Sequence, residues 1–421
     1  MAKKKVYAAI EIADQEIRLA VLEVFDARNN ILRVEKVPCK GVEKSRIVDE
    51  KEVVKAIQQA VKQAQSALGY HIERVLLAIP SRDVKSTDQI IHVSIEDGTH
   101  NVRLFHIQQG LNKAMQKRAG DEQELVNINR ILYHLPDGTV TPKIPKGLEI
   151  DSFDMEVDLL YANKDLLYEY ARVIEQANLE ILDIVLDTSA QGQEDAGLAK
   201  SQDGGIIQVS LEADHTTLSL LMEGRLVSSF VLEKGFSSFV KPLQKKYRLS
   251  DQTANRLLQN LFTTKKSANP EAVIYIEQQE NQRVEITDKE LQETVLPEIR
   301  SWISDINIAS EPIAMRKNTS YIITGQGSNI PVMKEMENAF NAPASVYQVT
   351  TIGARDGAFA TCLGMAYTWE ETQKIRRDER TSVNNNELEE SVESIGRLAR
   401  EQGTEGGFTQ KLKKIMLASN D

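Results

Sequence analysis

The chain has 421 residues, 41% hydrophobic and 27% charged, a composition that excludes a disordered protein and is too long for a single core. A formal net charge of -11 with no long basic run argues against nucleic acid as a general partner. Its two cysteines, Cys39 and Cys362, are far apart, which excludes a disulfide or thiolate–metal framework and fits a reducing compartment.

The opening MAKKKVYAAIEIADQEI is basic, but Glu11 and Asp14 interrupt its apolar run, so no signal peptide is expected. From Val6, VYAAIEIADQEIRLAVLEVFDARNNILRVEKV reads as a three-strand meander, with ADQE and ARNN as turns. EKEVVKAIQQAVKQAQSALGY places Val53, Ile57, Val61, Ala64 and Leu68 on one stripe of a helix that stops at Gly69. ERVLLAIP follows as a short buried strand, the opening of an α/β domain. Residues 81–163 are more polar, with a helix around Ile107 to Gln116, a hairpin in YHLPDGTVTPKIPKGLEIDSF and a closing strand, DMEVDLLYA. They read as a small inserted α+β domain. KDLLYEYARVIEQANLEILDIVLD returns to a helix and strand of the first domain.

GGIIQVSLEADHTTLSLLMEGRLVSSFVLEKG repeats the strand meander in pattern, with little residue identity. Helices are expected at SSFVKPLQKKY and SDQTANRLLQNLF, a hairpin at EAVIYIEQQENQRVEIT, and a long helix from Asp288 to Ile308. SYIITGQGSNIPVMKEMENAF reads as strand, glycine turn and helix, and ARDGAFATCLGMAYTW as a final small-residue helix. The expected division is 1–80 with 164–198 as a first subdomain, 81–163 inserted, and 199–368 as a second lobe whose smaller part is about 248–318. Residues 369–406 are charged and polar and read as a flexible linker, with 407–421 as an amphipathic helix.

No stretch reaches the ~20 apolar residues of a spanning helix, so membrane contact is expected to be peripheral. The tail GGFTQKLKKIMLASND suits that role. At 100° per residue Phe408, Leu412, Ile415 and Met416 share an apolar face, Lys413 and Lys414 point away, and Lys411 borders the face. Each lysine near an anionic leaflet contributes ~1 kcal/mol, so one tail is a weak anchor and many joined tails a firm one. The same helix could instead dock on a partner protein. The six histidines show no metal-binding spacing, and His215 reads as a turn residue. No hydrolase motif is present, and no metal or catalytic residue is expected.

Two meanders, each followed by helices, and a late strand–glycine turn–helix resemble the actin/Hsp70/sugar-kinase ATPase architecture of two lobes. The order of parts is similar to the bacterial cell-division family FtsA. The matching stretches are GVEKSRIVDEKEVVKAIQQAVKQAQSALGYHIERVLLAIPS, the insertion carrying LPDGTVTPKIPKGL, its exit EVDLLYANKDLLYEYARVIEQANLEILDIVLDTSA, and the amphipathic tail after a variable linker. The resemblance implies an adaptor that self-assembles at the division site on the cytoplasmic face of the membrane. It would tether the tubulin-like FtsZ through the smaller part of the second lobe.

The phosphate loops depart from the family. Its first loop, roughly Gly-x-Asp/Glu-x-Gly-Thr, is here Ala9-Ile10-Glu11-Ile12-Ala13-Asp14, and its second, Asp-x-Gly-Gly-Gly-Thr, is Ser210-Leu211-Glu212-Ala213-Asp214-His215. Glycines let backbone N–H groups approach phosphates. Asp14, Glu212 and Asp214 instead set carboxylates there, and one like-charge contact at ~4 Å costs about 4 kcal/mol at an effective dielectric of ~20. The adenosine-side loop Thr324-Gly325-Gln326-Gly327-Ser328 is kept, although a glycine turn between strand and helix needs no ligand. If ATP and Mg²⁺ bind at all, the resemblance assigns Glu11, Gly325, Gly327 and Ser328. The expectation is a non-enzymatic body. The alternatives are a working ATPase or kinase, and an actin-like scaffold of a pilus or secretion machine.

Overall fold

The computed structural model describes residues 4–25, 28–199, 205–261, 269–279, 282–316, 318–349, 356–376 and 380–384. The tail residues Phe408, Lys411, Leu412, Lys413, Lys414, Ile415 and Met416 lie outside them.

The first lobe opens with an antiparallel meander, β1 (Lys5–Ala13), β2 (Glu16–Phe25) and β3 (Arg28–Pro38). A small ribbon, β4 (Val42–Glu43) and β5 (Arg46–Ile47), precedes α1 (Glu50–Leu68) and β6 (Arg74–Ile79). Asp49 caps α1 by accepting from the Glu52 N–H at 3.1 Å, and Gly69 ends it at φ +79, a left-handed conformation that favours glycine. The inserted domain comprises β7 (Lys85–Ser94), α2 (Leu104–Met115), β8 (Gln123–His134), β9 (Val140–Thr141) and β10 (Ser152–Asn163). Then α3 (Lys164–Gln176) and β11 (Glu180–Leu186) complete the first sheet, in the order β11-β6-β1-β2-β3.

A helix the sequence reading did not identify, α4 (Asp187–Ala199), crosses to the second lobe. There β12 (Gly205–Leu211), β13 (Thr216–Met222) and β14 (Arg225–Leu232) repeat the meander. A 3-10 turn at Phe236–Val240 leads to α5 (Lys241–Tyr247), α6 (Asp251–Asn260), the ribbon β15 (Val273–Gln279) and β16 (Gln282–Thr287), and α7 (Asp288–Ala314). Thr287 and Glu290 cap α7 reciprocally, and the helix passes the expected Ile308 to reach Ala314. β17 (Ser320–Thr324), α8 (Val332–Glu335), β18 (Ala344–Val346) and α9 (Ala360–Arg376) follow. The second sheet, β14-β13-β12-β17-β18, has the same strand logic as the first. β12 is buried along its whole length and β1 along all but its first residue, as expected of strands covered on both faces.

Two expectations are corrected. The helix after the glycine turn is broken into a 3-10 turn at Gln326–Asn329, the single turn α8 and another 3-10 turn at Glu337–Ala339, because Pro331 cannot donate to a continuous helical ladder. The folded body also runs past residue 369. α9 continues to Arg376 with Trp369 and Ile375 buried, and residues 380–384 return to the first sheet. There Ser382 donates its N–H to the Val6 carbonyl at 2.9 Å, and its Oγ accepts from the Ala8 N–H at 2.7 Å. A polar average over this stretch hides the few apolar residues that fix it.

α4 and α9 cross between the lobes at very close range: a Cβ on Gly364 would stand 1.7 Å from the Ala190 carbonyl oxygen. Beside the crossing, Gln191 is a buried hub. Its Nε2 donates to Ser210 Oγ (3.2 Å) and Thr361 Oγ1 (2.9 Å), and its Oε1 accepts from Gln208 (3.1 Å) and Thr324 (3.0 Å). Gly364→Ala is expected to force these helices apart and lower stability by roughly 1–3 kcal/mol, read as a reduced urea midpoint.

Candidate functional site

The turns β1–β2 and β12–β13 face each other across the cleft, with the glycine turn after β17 beside them. Glu11 projects from β1, Arg18 from β2, and Glu212 follows β12. The guanidinium of Arg18 is fully buried and joins the lobes. Its Nη2 donates to Glu212 Oε2 at 2.6 Å, Nη1 to Glu212 Oε1 at 3.3 Å and to Glu11 Oε2 at 3.2 Å, and Nε to Glu16 Oε1 at 2.6 Å. A further donation, at 3.3 Å, reaches the Ala358 carbonyl ahead of α9. Such a planar fork suits a bidentate carboxylate partner. Burial raises the Glu11 carboxyl to about 7 despite the attraction of Arg18, and Thr361 Oγ1 donates to it at 2.9 Å. The Arg18 guanidinium is held charged: burial opposes its charge, but Glu212, Glu11 and Glu16 outweigh that cost.

A second link lies alongside. His215 donates from Nδ1 to Asp14 Oδ2 at 2.6 Å, its Nε2 lies 3.3 Å from Ser45 Oγ, and the Ser45 N–H donates to Asp14 Oδ1 at 3.0 Å. Burial works against both charges, yet the mutual hydrogen bond and attraction hold the Asp14 carboxyl below, and the His215 imidazole above, their usual ranges. Nearer the surface, Lys36 pairs with Asp356, and Arg82 and Lys44 reach Glu233 at 3.0 and 3.3 Å, all across the same interface.

Of the residues that the resemblance assigned to a nucleotide, Glu11, Gly325, Gly327 and Ser328 do gather here, but around protein atoms. Gly325 has φ +78, and a Cβ there would lie 2.6 Å from Glu212 Oε1, while one on Gly327 would lie 2.3 Å from Leu211 Cγ. Ser328 Oγ donates to the Gly325 carbonyl at 2.7 Å. Backbone groups of the loops are likewise committed: the Gln326 N–H donates to Glu212 Oε1 (3.2 Å), and those of Phe236 and Ser237 to the carbonyls of Glu212 (3.0 Å) and Ala213 (2.9 Å). The cavity between the loops is about 20 Å³, water-sized. That space does not hold a triphosphate with its cation.

A larger cavity of about 700 Å³ opens at the tips of the two loops, lined by Gln15, Ala213 and Asp214 and by residues from Lys40 to Lys44 and from Glu233 to Lys241. Lys40, Lys44, Lys234 and Lys241 on its wall are matched by Glu43, Asp214, Glu233 and Asp251, so it has no dominant sign. The expectation of bare carboxylates repelling a phosphate is therefore revised for two of the three: Glu212 is paired with Arg18 and Asp14 with His215, while Asp214 faces the larger cavity. Arg18 carries one signal in the sequence, its alternation onto the inward face of β2, and His215 stands in the β12–β13 turn as expected but is buried there against Asp14. Among the described residues no cluster of histidine, cysteine or carboxylate side chains has metal-binding geometry.

No protein-family model matches the chain. Among curated proteins it is 23% identical over 384 residues to the cell division protein FtsA of Bacillus subtilis, covering 87% of this chain and 83% of that one. To FtsA of Enterococcus faecalis it is 22% identical over 372 residues, with the same coverage. FtsA of Escherichia coli aligns over 199 residues at 25% identity, 47% of this chain and 44% of that one. Among solved structures, the PilM-PilN type IV pilus biogenesis complex matches at TM-score 0.56 and 12% identity, over 86% of this chain and 97% of that one. MreB5 of Spiroplasma citri bound to ADP matches at TM-score 0.52 and 12% identity, over 89% and 99%. The fold is that of the actin-like ATPases, and the resemblance to FtsA extends over most of the chain.

Arg18→Ala would leave Glu212, Glu11 and Glu16 facing one another without their cation, and is expected to cost about 3–5 kcal/mol in chemical denaturation. Arg18→Met combined with Glu11→Gln and Glu212→Gln should recover much of the loss. The histidine link has a defined pH signature. A raised imidazole stabilises fully below its unfolded value, ~6.5, and loses that contribution as pH rises through the folded value. A lowered carboxyl stabilises above ~3.9 and loses it as pH falls. The stability difference between wild type and Asp14→Asn/His215→Gln should thus be flat from about pH 4 to 6.5 and shrink on either side.

Proposed function

We propose that this chain is a cell-division adaptor of the FtsA type, a non-enzymatic actin-like body that self-assembles and holds FtsZ-like polymers at the cytoplasmic face of the membrane. The observation that carries the non-enzymatic part is the Arg18–Glu11–Glu212 network, which places a side-chain cation and its carboxylates between the two phosphate loops. Lobe closure then relies on internal ion pairs, and assembly needs no nucleotide cycle. The similarity to FtsA proteins over 87% of the chain supports the division role. Supporting the membrane role is the amphipathic pattern of Phe408, Leu412, Ile415 and Met416 with Lys411, Lys413 and Lys414. Partner docking is assigned to the smaller part of the second lobe, about 248–318, which contains α6, the ribbon β15–β16 and all of α7.

Calorimetry with ATP and Mg²⁺ on the full chain is expected to give no heat of binding at micromolar concentrations. Saturable binding followed by phosphate release would return the chain to the ATPases. In flotation with anionic liposomes the full chain should rise with the vesicles and a chain ending at Glu405 should stay behind. Equal flotation of the two would remove the anchor. Co-sedimentation with FtsZ polymers tests the partner.

A further inference from the structure

β7 is a long sheet edge that carries charge at Lys85 and Asp88 but has neither bulge nor proline to guard it. It lies at the rim of the inserted domain's sheet, ordered β7-β10-β8-β9, and pairs with β10 from Lys85↔Tyr161 to Ser94↔Ser152 without a break in register. Its other side pairs with no strand among the described residues. Edges are normally blunted by shortness, bulges or proline, because their free N–H and C=O groups template another strand. β7 is ten residues long and has neither bulge nor proline. Its odd-numbered residues turn toward α2: Val93 is buried, and Gln89 Nε2 donates to the Ala114 carbonyl at 3.1 Å. Ser86, Asp88, Ile90, His92 and Ser94 form the outer face and are all exposed, Ile90 by 72%.

That face is complementary to itself. When a second β7 is turned about a two-fold axis at Ile90, the strands run antiparallel and the two Ile90 side chains meet. Asp88 of each copy then lies opposite His92 of the other, and Ser86 opposite Ser94. Directly opposed residues in such a pair have Cβ atoms about 4.5–5.5 Å apart, within reach of both the apolar and the charged contact. The Ile90 axis is the one register that sets Asp88 opposite His92; centring it on Asp88 or on His92 sets like side chains against each other, and centring it on Gln89 or Ile91 leaves both charges opposite uncharged residues. His92 is already positioned for it. Its Nδ1 is hydrogen-bonded to Asp154 Oδ1 at 2.7 Å, which orients the ring, and its Nε2 has no partner among the described residues and is left to meet Asp88 of the other copy.

We infer that two copies of this chain associate through β7, joining their inserted domains into one continuous antiparallel sheet with the Ile90 pair at its centre. The interface is isologous, as a two-fold axis requires. It goes beyond the adaptor reading and does not depend on it, since neither lipid nor FtsZ takes part.

The test uses the full chain in solution without lipid or nucleotide. Sedimentation at micromolar concentrations should show a monomer–dimer equilibrium, abolished by Ile90→Pro. Asp88→His and His92→Asp should each weaken the dimer by about tenfold or more, and the double exchange should restore it. Under mild oxidation Ile90→Cys should cross-link to itself, because opposed Cα atoms fall within the about 4.4–6.8 Å a disulfide spans. Asp88→Cys should cross-link only when mixed with His92→Cys. The native Cys39 and Cys362 are buried, and wild type gives the background. A monomer at every concentration, a dimer indifferent to the charge exchange, or Asp88→Cys cross-linking to itself as fast as Ile90→Cys would each overturn the proposal.

Discussion

A buried arginine shared by two lobes is the constraint on which the rest of this molecule depends. Arg18 lies on the central sheet of the first lobe, fully removed from solvent, and its strongest partner, Glu212, belongs to the second. A cation in such a place is tolerable only when each donor finds an acceptor, and Arg18 supplies Glu11, Glu16, Glu212 and a backbone carbonyl at once. Parting the lobes would strand a positive charge on one side and a carboxylate on the other. Closure is thereby written into the chain.

The surrounding structure is arranged around that closed state. Asp14 and His215 add a second buried link, and Gln191 with the Gly364–Ala190 crossing ties the two connecting helices into the same layer. The inserted domain is seated on both lobes by two asparagines of β8. Asn127 accepts from the Leu186 N–H at 2.9 Å in the first lobe, and Asn129 both accepts from and donates to the backbone of Leu226 in the second, at 3.0 and 2.9 Å. Arg130 pairs with Glu223 at 2.9 Å beside it. The inserted domain is thereby tied to both lobes. The rim pairs of Lys44 and Arg82 with Glu233 are solvated and contribute little energy by comparison.

The glycines near the cleft show how one residue type serves different ends in a shared fold. Gly325 and Gly327 sit where a backbone would approach a phosphate, yet the atoms that forbid a side chain there are Glu212 Oε1 and Leu211 Cγ. The turn is retained for packing, with its amide turned to a carboxylate of the protein. A glycine motif is thus no measure of ligand binding when a side chain of the protein itself requires the space.

The two meanders, α1 with its glycine stop, α2 and β10 of the insertion and most of α7 were legible because each rests on local periodicity or turn chemistry, whereas β7 and β8, more polar and half-exposed, carry no such signal. The tail's apolar face is likewise a property of spacing alone. α4 was not legible, since its buried residues, Thr188, Ala190, Gln191 and Glu194, are small or polar and form no apolar stripe. The return of residues 380–384 to β1 rests on backbone groups and one serine, which leave no compositional trace. The loss of the glycine-rich phosphate loops could be read from residue types. What replaced them could not: Arg18 and Glu212 are separated by 194 positions, and only the apposition of the lobes turns an unremarkable alternating arginine into the charge that closes the cleft.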